Sequence, residues 1–230
     1  MNDLNLLGID TSGNIASVAV CNENTVIAQT TVMTRLTHSQ IILPLCKDVL
    51  MKAEMTLDDI DRIAVAVGPG SYTGLRIGIS AVKGMCFGAE KECVGISTLE
   101  GLAFNMSGTG KKICSVMSAR QNLVYTAFFE DKNGVITRLS EDRIITEEKL
   151  YEEISEGTVI VGDYSKNFIE KFSDKNLLLA PPHLRYQLAS SLCFAGMTKT
   201  PITADELDAS YLQPTKAEKD LEEKKNGGNA

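Results

Sequence analysis

A chain of 230 residues, 43% of them hydrophobic, carries enough apolar material for one large domain or two small lobes, which excludes wholesale disorder. A formal charge of −7 and a pI near 5.0 repel polyanions, so independent binding to nucleic acid needs a local basic patch. Neither Lys111-Lys112 nor Lys224-Lys225 supplies one, the second pair being neutralised by Glu218, Asp220, Glu222 and Glu223. Six cysteines, at 21, 46, 86, 93, 114 and 193, lie in apolar segments without a CxxC pair, the pattern of reduced, buried thiols. With no basic leader and no run of about 18 apolar residues, a cytoplasmic protein without a membrane partner is expected.

In chain order, residues 4–10, 15–20 and 25–32 are apolar or rich in β-branched residues and are separated by Ser12-Gly13-Asn14 and Asn22-Glu23-Asn24. Three consecutive strands joined by short turns are predicted. From His38, Ile42, Leu45, Cys46, Val49, Leu50 and Ala53 recur at three- and four-residue spacing, which predicts an amphipathic helix over 38–54 capped by Thr37 or Ser39. Ile41, Leu43 and Met51 add apolar surface outside that stripe, so this helix has more to cover than one buried face.

Residues 63–67 read as a buried strand that runs into GPGSYTG from Gly68, and a second helix follows over 73–88. Gly74, Gly78, Ala81 and Gly88 lie near one side of it. Interior glycine costs roughly 1 kcal/mol against alanine, so the repetition implies close approach of another backbone. Packing on the helix's own sheet and contact with another molecule both stay open. A strand at 92–95, a helix at 98–106 and a Gly-rich break at 107–110 complete a first lobe, residues 1–108. Strands at 112–117, 123–130 and 135–145, a helix at 147–154, a strand at 158–161 and helices at 165–172 and 183–197 repeat the pattern over a second lobe, 109–215. The whole is a duplicated α/β architecture on mixed sheets, with a disordered tail expected over 216–230.

Hydrolytic and metal chemistry find little footing. Only His38 and His183 offer an imidazole, neither lies in a GxSxG setting, and position 42, four after His38, is Ile, so no HxxxH pair forms. Asp58, Asp59 and Asp61 read as a solvated turn. Phosphate binding is the strongest local candidate: Asp10, Thr11 and Ser12 end a strand, and Gly68 and Gly70 sit in a loop ahead of a helix N-terminus, where free N–H groups favour an anion. The loop lacks the Walker A spacing and lysine, and a purely structural tight turn remains the alternative.

LGIDTS from Leu7, the helix opening with His38-Ser39, AVAVGPGSYTGLRIGISAVKG from Ala64, STLEGLA from Ser97, Ser118-Ala119-Arg120, Gly162-Asp163 and YLQPTKAEK from Tyr211 together resemble the TsaB family, formerly YeaZ, over nearly the whole chain. The resemblance implies the ASKHA (actin-like ATPase) fold, α/β with two lobes of duplicated mixed-sheet topology. It also implies a non-catalytic subunit that pairs with TsaD, the subunit that transfers the threonylcarbamoyl group to adenosine 37 of tRNAs reading codons that start with A. It implies that the ATPase TsaE joins them and that tRNA is met only through the complex. The implied interface runs through the two helices, with Ile41, Ile42, Leu43 and Leu45 on the first and Gly74, Gly78 and Ala81 on the second. No catalytic residue, metal or required cofactor is implied for this chain; ATP or ADP at the complex interface, and a homodimer of the isolated chain, stay open. Gln40, Ser118 and Gln213 depart from the family's usual acid, Asp and Arg. The alternative function is a stand-alone ATP-dependent enzyme of the ASKHA type using Asp10; a glycoprotease is disfavoured by the missing histidine pair and triad.

Overall fold

The computed structural model describes residues 4–212; the expected tail and Gln213 lie outside the described residues. Two mixed sheets are built by the same succession of elements. The first half runs β1 (Leu6–Asp10), β2 (Ile15–Cys21), β3 (Val26–Met33), α1 (His38–Lys52), β4 (Arg62–Gly68), α2 (Tyr72–Ala89), β5 (Glu92–Ser97) and α3 (Thr98–Phe104). The second runs β6 (Lys112–Ser118), β7 (Leu123–Lys132), β8 (Val135–Arg138), β9 (Arg143–Thr146), α4 (Glu147–Glu153), β10 (Val159–Val161), α5 (Ser165–Lys171), β11 (Leu178–Leu179) and α6 (Ala189–Gly196). The sheet orders are β3-β2-β1-β4-β5 and β11-β10-β6-β7-β8, with β9 also on β7. In each, the opening strands are antiparallel and the later ones parallel.

Helices on both faces explain why β1 and β2 read as continuous apolar runs instead of alternating. α1 and α2 cover one face of the first sheet, where Ile42, Cys46, Val49, Ile79 and Val82 pack on Leu7, Ile9, Val18 and Val65. α6 covers the other face through Ala189, Leu192 and Cys193. On the second sheet, α3 packs through Leu99, Leu102 and Ala103 against Ile113 and Phe129, and the opposite face carries Leu150 of α4 and Phe168 of α5. The last helix of each half thus crosses to the other half's sheet. Residue 108 lies between α3 and β6.

Two expectations are corrected. The strand over 135–145 is two strands: Leu139 still donates to Phe128 O, but the Ser140 hydroxyl takes the next ladder position by accepting from Phe128 N, and Arg138 pairs with Asp142 at 2.6 Å across the bulge. The α-helix over 183–197 begins only at Ala189: Pro182–Leu184 form a separate 3-10 turn, and the buried Asn105 amide donates to the carbonyls of Leu184 and Tyr186 at 2.7 and 2.8 Å ahead of the helix. All six cysteines are buried and free, and no helix among the described residues is long and apolar enough to cross a membrane.

Candidate functional site

Between the two sheets opens a cleft of about 670 Å³. On the first-lobe side Ser12, Gly70 and Tyr72 line it; on the other side Arg120 and Asp163 do, and Tyr211 closes one end. β1 ends at Asp10, and the turn that follows brings Ser12 to the cleft. Asp10 is only 2% exposed; its Oδ1 accepts from Ser12 N at 2.8 Å and from the Ser12 hydroxyl at 2.6 Å. Burial pushes this carboxyl up to about 6, against the opposing pull of the Ser12 hydrogen bonds and of His38.

Thr11 is buried as well, and its hydroxyl donates to Gly74 O at 2.7 Å. Ser71 N donates to Ser12 O at 2.7 Å, and a Cβ on Gly70 would strike that same carbonyl, so the two first-lobe loops close directly on each other. Ser71 caps α2 by accepting from Gly74 N at 3.2 Å. Of the five residues expected to meet nucleotide, Ser12 and Gly70 therefore reach the cleft. Asp10, Thr11 and Gly68 are not among the residues lining it.

The second half repeats this geometry with a change of parts. Gly68 ends β4 and Gly162 directly follows β10, with φ of 125° and 120°, conformations that favour glycine. A side chain on Gly162 would collide with Val116 O, so β10 lies tight on β6 and aims Asp163 at the end of that strand. There Ser118 stands where β1 has Asp10, and Ser118 N donates to Asp163 Oδ1 at 3.0 Å. Burial raises the Asp163 carboxyl while the amides of Ser118 and Tyr164 pull it down. His38 donates from Nε2 to Gly13 O at 2.8 Å. Its Nδ1 is buried and unpaired among the described residues, where no group of three or more His, Cys, Asp or Glu is placed to hold a metal ion.

A second feature lies outside the cleft. The outer faces of α1 and α2 border two shallow grooves of about 520 and 500 Å³, the first beside Leu43, Ile77 and Ala81, the second beside Leu50, Met51 and Met85. Leu43 is 53% exposed and Met51 65%. Ile41, Leu45 and Ala81 are half-buried. The expected interface loses three members: Ile42 sits in the core, Gly74 is backed against Thr11 O and Gly78 against the Thr11 hydroxyl. Gly74 and Gly78 pack on the end of the helix's own sheet, whereas Gly88 is exposed with open space around it. The outward stripe is instead Ile77, Ala81 and Met85, a four-residue spacing visible in the sequence but masked by the denser glycine pattern. Arg120, Tyr125 and Asp163 were not read as site residues because their grouping depends on how the second half folds back.

The duplicated fold around a central cleft is that of the actin-like ATPases. YeaZ from Pseudomonas aeruginosa superposes with a TM-score of 0.77 at 24% identity, covering 91% of this chain and 100% of that one. A more distant relative in fold is the activator of the 2-hydroxyisocaproyl-CoA dehydratase from Clostridium difficile, solved with bound ADPNP, with a TM-score of 0.50 at 10% identity over 96% of this chain and 98% of that one. The family model for TsaD, tRNA N6-adenosine threonylcarbamoyltransferase, matches residues 25–196. The tRNA threonylcarbamoyladenosine biosynthesis protein TsaB of Bacillus subtilis is 34% identical over 140 residues, 61% of each chain, so the alignment spans less than two thirds of that relative's length. The TsaB protein of Buchnera aphidicola from Schizaphis graminum is 31% identical over 188 residues, 77% of this chain and 89% of the relative. The chain belongs to the TsaB family.

Proposed function

We propose that this chain is a non-catalytic subunit in the biosynthesis of threonylcarbamoyladenosine in tRNA, pairing with TsaD through the outer face of α1 and α2 and meeting tRNA only through that complex. The observation that carries this reading is the apolar surface left on those helices, where Leu43, Met51 and Phe87 are 53%, 65% and 61% exposed. A patch of this kind beside shallow grooves suits a helical partner. TsaE would join the pair at another surface, ATP or ADP would bind at the complex interface if anywhere, and the isolated chain would cover the same helices with a second copy.

The test is a titration of the purified chain with TsaD, comparing wild type with Leu43→Arg and Ala81→Arg. Each places a long cation on an apolar contact, and loss of measurable association is expected while the circular dichroism spectrum is kept. If both folded variants bind TsaD with unchanged affinity, the interface lies elsewhere.

The second reading, a stand-alone ATP-dependent enzyme, draws on the distant relative solved with bound ADPNP. Against it stands the internal use of the loop amides: Ser12 N is taken by Asp10 and Ser71 N by Ser12 O. ATP turnover by the purified chain that disappears in Asp10→Asn would favour this second reading over the first.

A further inference from the structure

At the end of the first strand of each half a backbone N–H is taken by a carboxylate of the same chain, that of Ser12 two residues past β1 and that of Ser118 at the last residue of β6. In the first half the carboxylate is local, Asp10 on Ser12 N at 2.8 Å. In the second half the strand ends in Ser118, which has no carboxylate to offer, and the anion comes from 45 residues away, Asp163 on Ser118 N at 3.0 Å. Gly162 is what permits this reach: its φ of 120° and its contact with Val116 O leave no space for a side chain. Arg120, Ser118 and Asp163 all line the cleft, so a cation, a strand-end amide and a carboxylate share one wall.

We propose that Asp163 is a built-in anion occupying the place at the end of β6 that a phosphate group would otherwise take, so that the cleft refuses phosphate-bearing ligands while this carboxylate is ionised. A phosphate entering the second-lobe wall needs the Ser118 amide and the Arg120 guanidinium. Asp163 holds the first, and its negative charge lines the same cleft as the second. The inference rests on the reading of the chain as a non-catalytic subunit and deepens it, because it names the group that closes the cleft.

The experiment titrates the full chain with inorganic phosphate and, separately, with ADP, by calorimetry at neutral pH. Wild type is expected to show no saturable binding. Asp163→Ser removes the carboxylate and should bind phosphate and ADP at least about tenfold more tightly than wild type, as removal of one charge at contact distance allows. Adding Arg120→Ala should abolish the gain. Asp163→Asn keeps an oxygen on Ser118 N and so preserves the fold; it removes only the charge and should gain less. If Asp163→Asn and a folded Asp163→Ser bind no better than wild type, the inference is overturned while the subunit reading, tested by the TsaD titration, stands. Saturable ADP binding by wild type overturns the inference directly, whatever the TsaD titration gives.

Discussion

Gly78 rests against the hydroxyl of Thr11, and the same hydroxyl donates to Gly74 O at 2.7 Å, so two turns of α2 are seated on the end of β1 by one side chain. A methyl at position 78 would have to displace that hydroxyl and loosen the loop at Ser12. Gly78→Ala gains helix propensity of about 1 kcal/mol but overpacks a buried contact at a cost of roughly 1–3 kcal/mol. The expected outcome of a urea melt is net destabilisation, with Gly78→Arg failing to fold. Ala81→Arg, one turn away on the outward side, should melt within about 0.5 kcal/mol of wild type. Equal stability of Gly78→Ala and wild type would show that the helix does not sit this close to β1.

Asp10 gives stability a particular pH dependence. Its carboxyl ordinarily titrates near 3.8 and is pushed up to about 6 in the fold by burial. Between those values the native state keeps a proton that the unfolded chain releases, so this group's contribution falls as pH rises from about 4 to 6 and is flat above. Two pK units correspond to an effect on the order of 2–3 kcal/mol. Asp10→Asn cannot titrate and keeps an oxygen for Ser12. The difference in unfolding free energy, variant minus wild type, should therefore grow in favour of the variant across that window. A constant difference from pH 4 to pH 7 would mean that Asp10 titrates normally.

The β6–β7 hairpin carries an identifiable local conflict. Gln121 and Asn122 have φ of 55° and 58°, and Leu123 N donates to Arg120 O across them, which defines a type I′ turn. Asn tolerates the left-handed region through its short polar side chain, whereas Gln does so poorly. Gln121→Asn should raise stability by about 0.5 kcal/mol, read as a small increase in melting temperature. A decrease would indicate that the Gln121 side chain makes a compensating contact.

Much of the fold was legible because periodicity and punctuation agreed. α1, α2 and the first three strands fall within a few residues of their predicted bounds, since continuous apolar runs, Thr37 or Ser39 as cap and the Ser12-Gly13-Asn14 turn all point the same way. What stayed hidden depends on long-range hydrogen bonds. β11 is two residues long and exists only as a partner of β10. The segment after α6 gains its structure from Ile202 bridging Cys93 and from Ser210 N on Val67 O. The glycines of α2 were seen, but whether they faced a partner or the chain's own β1 was not decidable from spacing. Ser118 was noted as a departure, yet nothing in its neighbourhood could show that its amide donates to Asp163, 45 residues away.

Asn105 holds the exchange of helices between the halves, and its removal offers the strongest test of that architecture. It follows α3 directly, is 8% exposed, donates to Leu184 O and Tyr186 O, and accepts from the Ser191 hydroxyl of α6 at 2.6 Å. Every arm of the amide is used, and each partner is buried or part-buried. Asn105→Ala leaves two carbonyls and a hydroxyl without their partner; at about 1–3 kcal/mol for each unsatisfied buried group, a loss of several kcal/mol is expected. Asn105→Asp is more specific, because it keeps the acceptor for Ser191 but sets a negative charge against two carbonyl oxygens, and it should destabilise at least as much as Ala at neutral pH. Ser191→Ala removes one bond only and should cost about 1 kcal/mol. In a double-mutant cycle Asn105→Ala and Ser191→Ala should be clearly sub-additive, since the first already breaks the bond that the second deletes. Additive losses, or an Asn105→Ala variant as stable as wild type, would mean that this amide does not tie the two halves together.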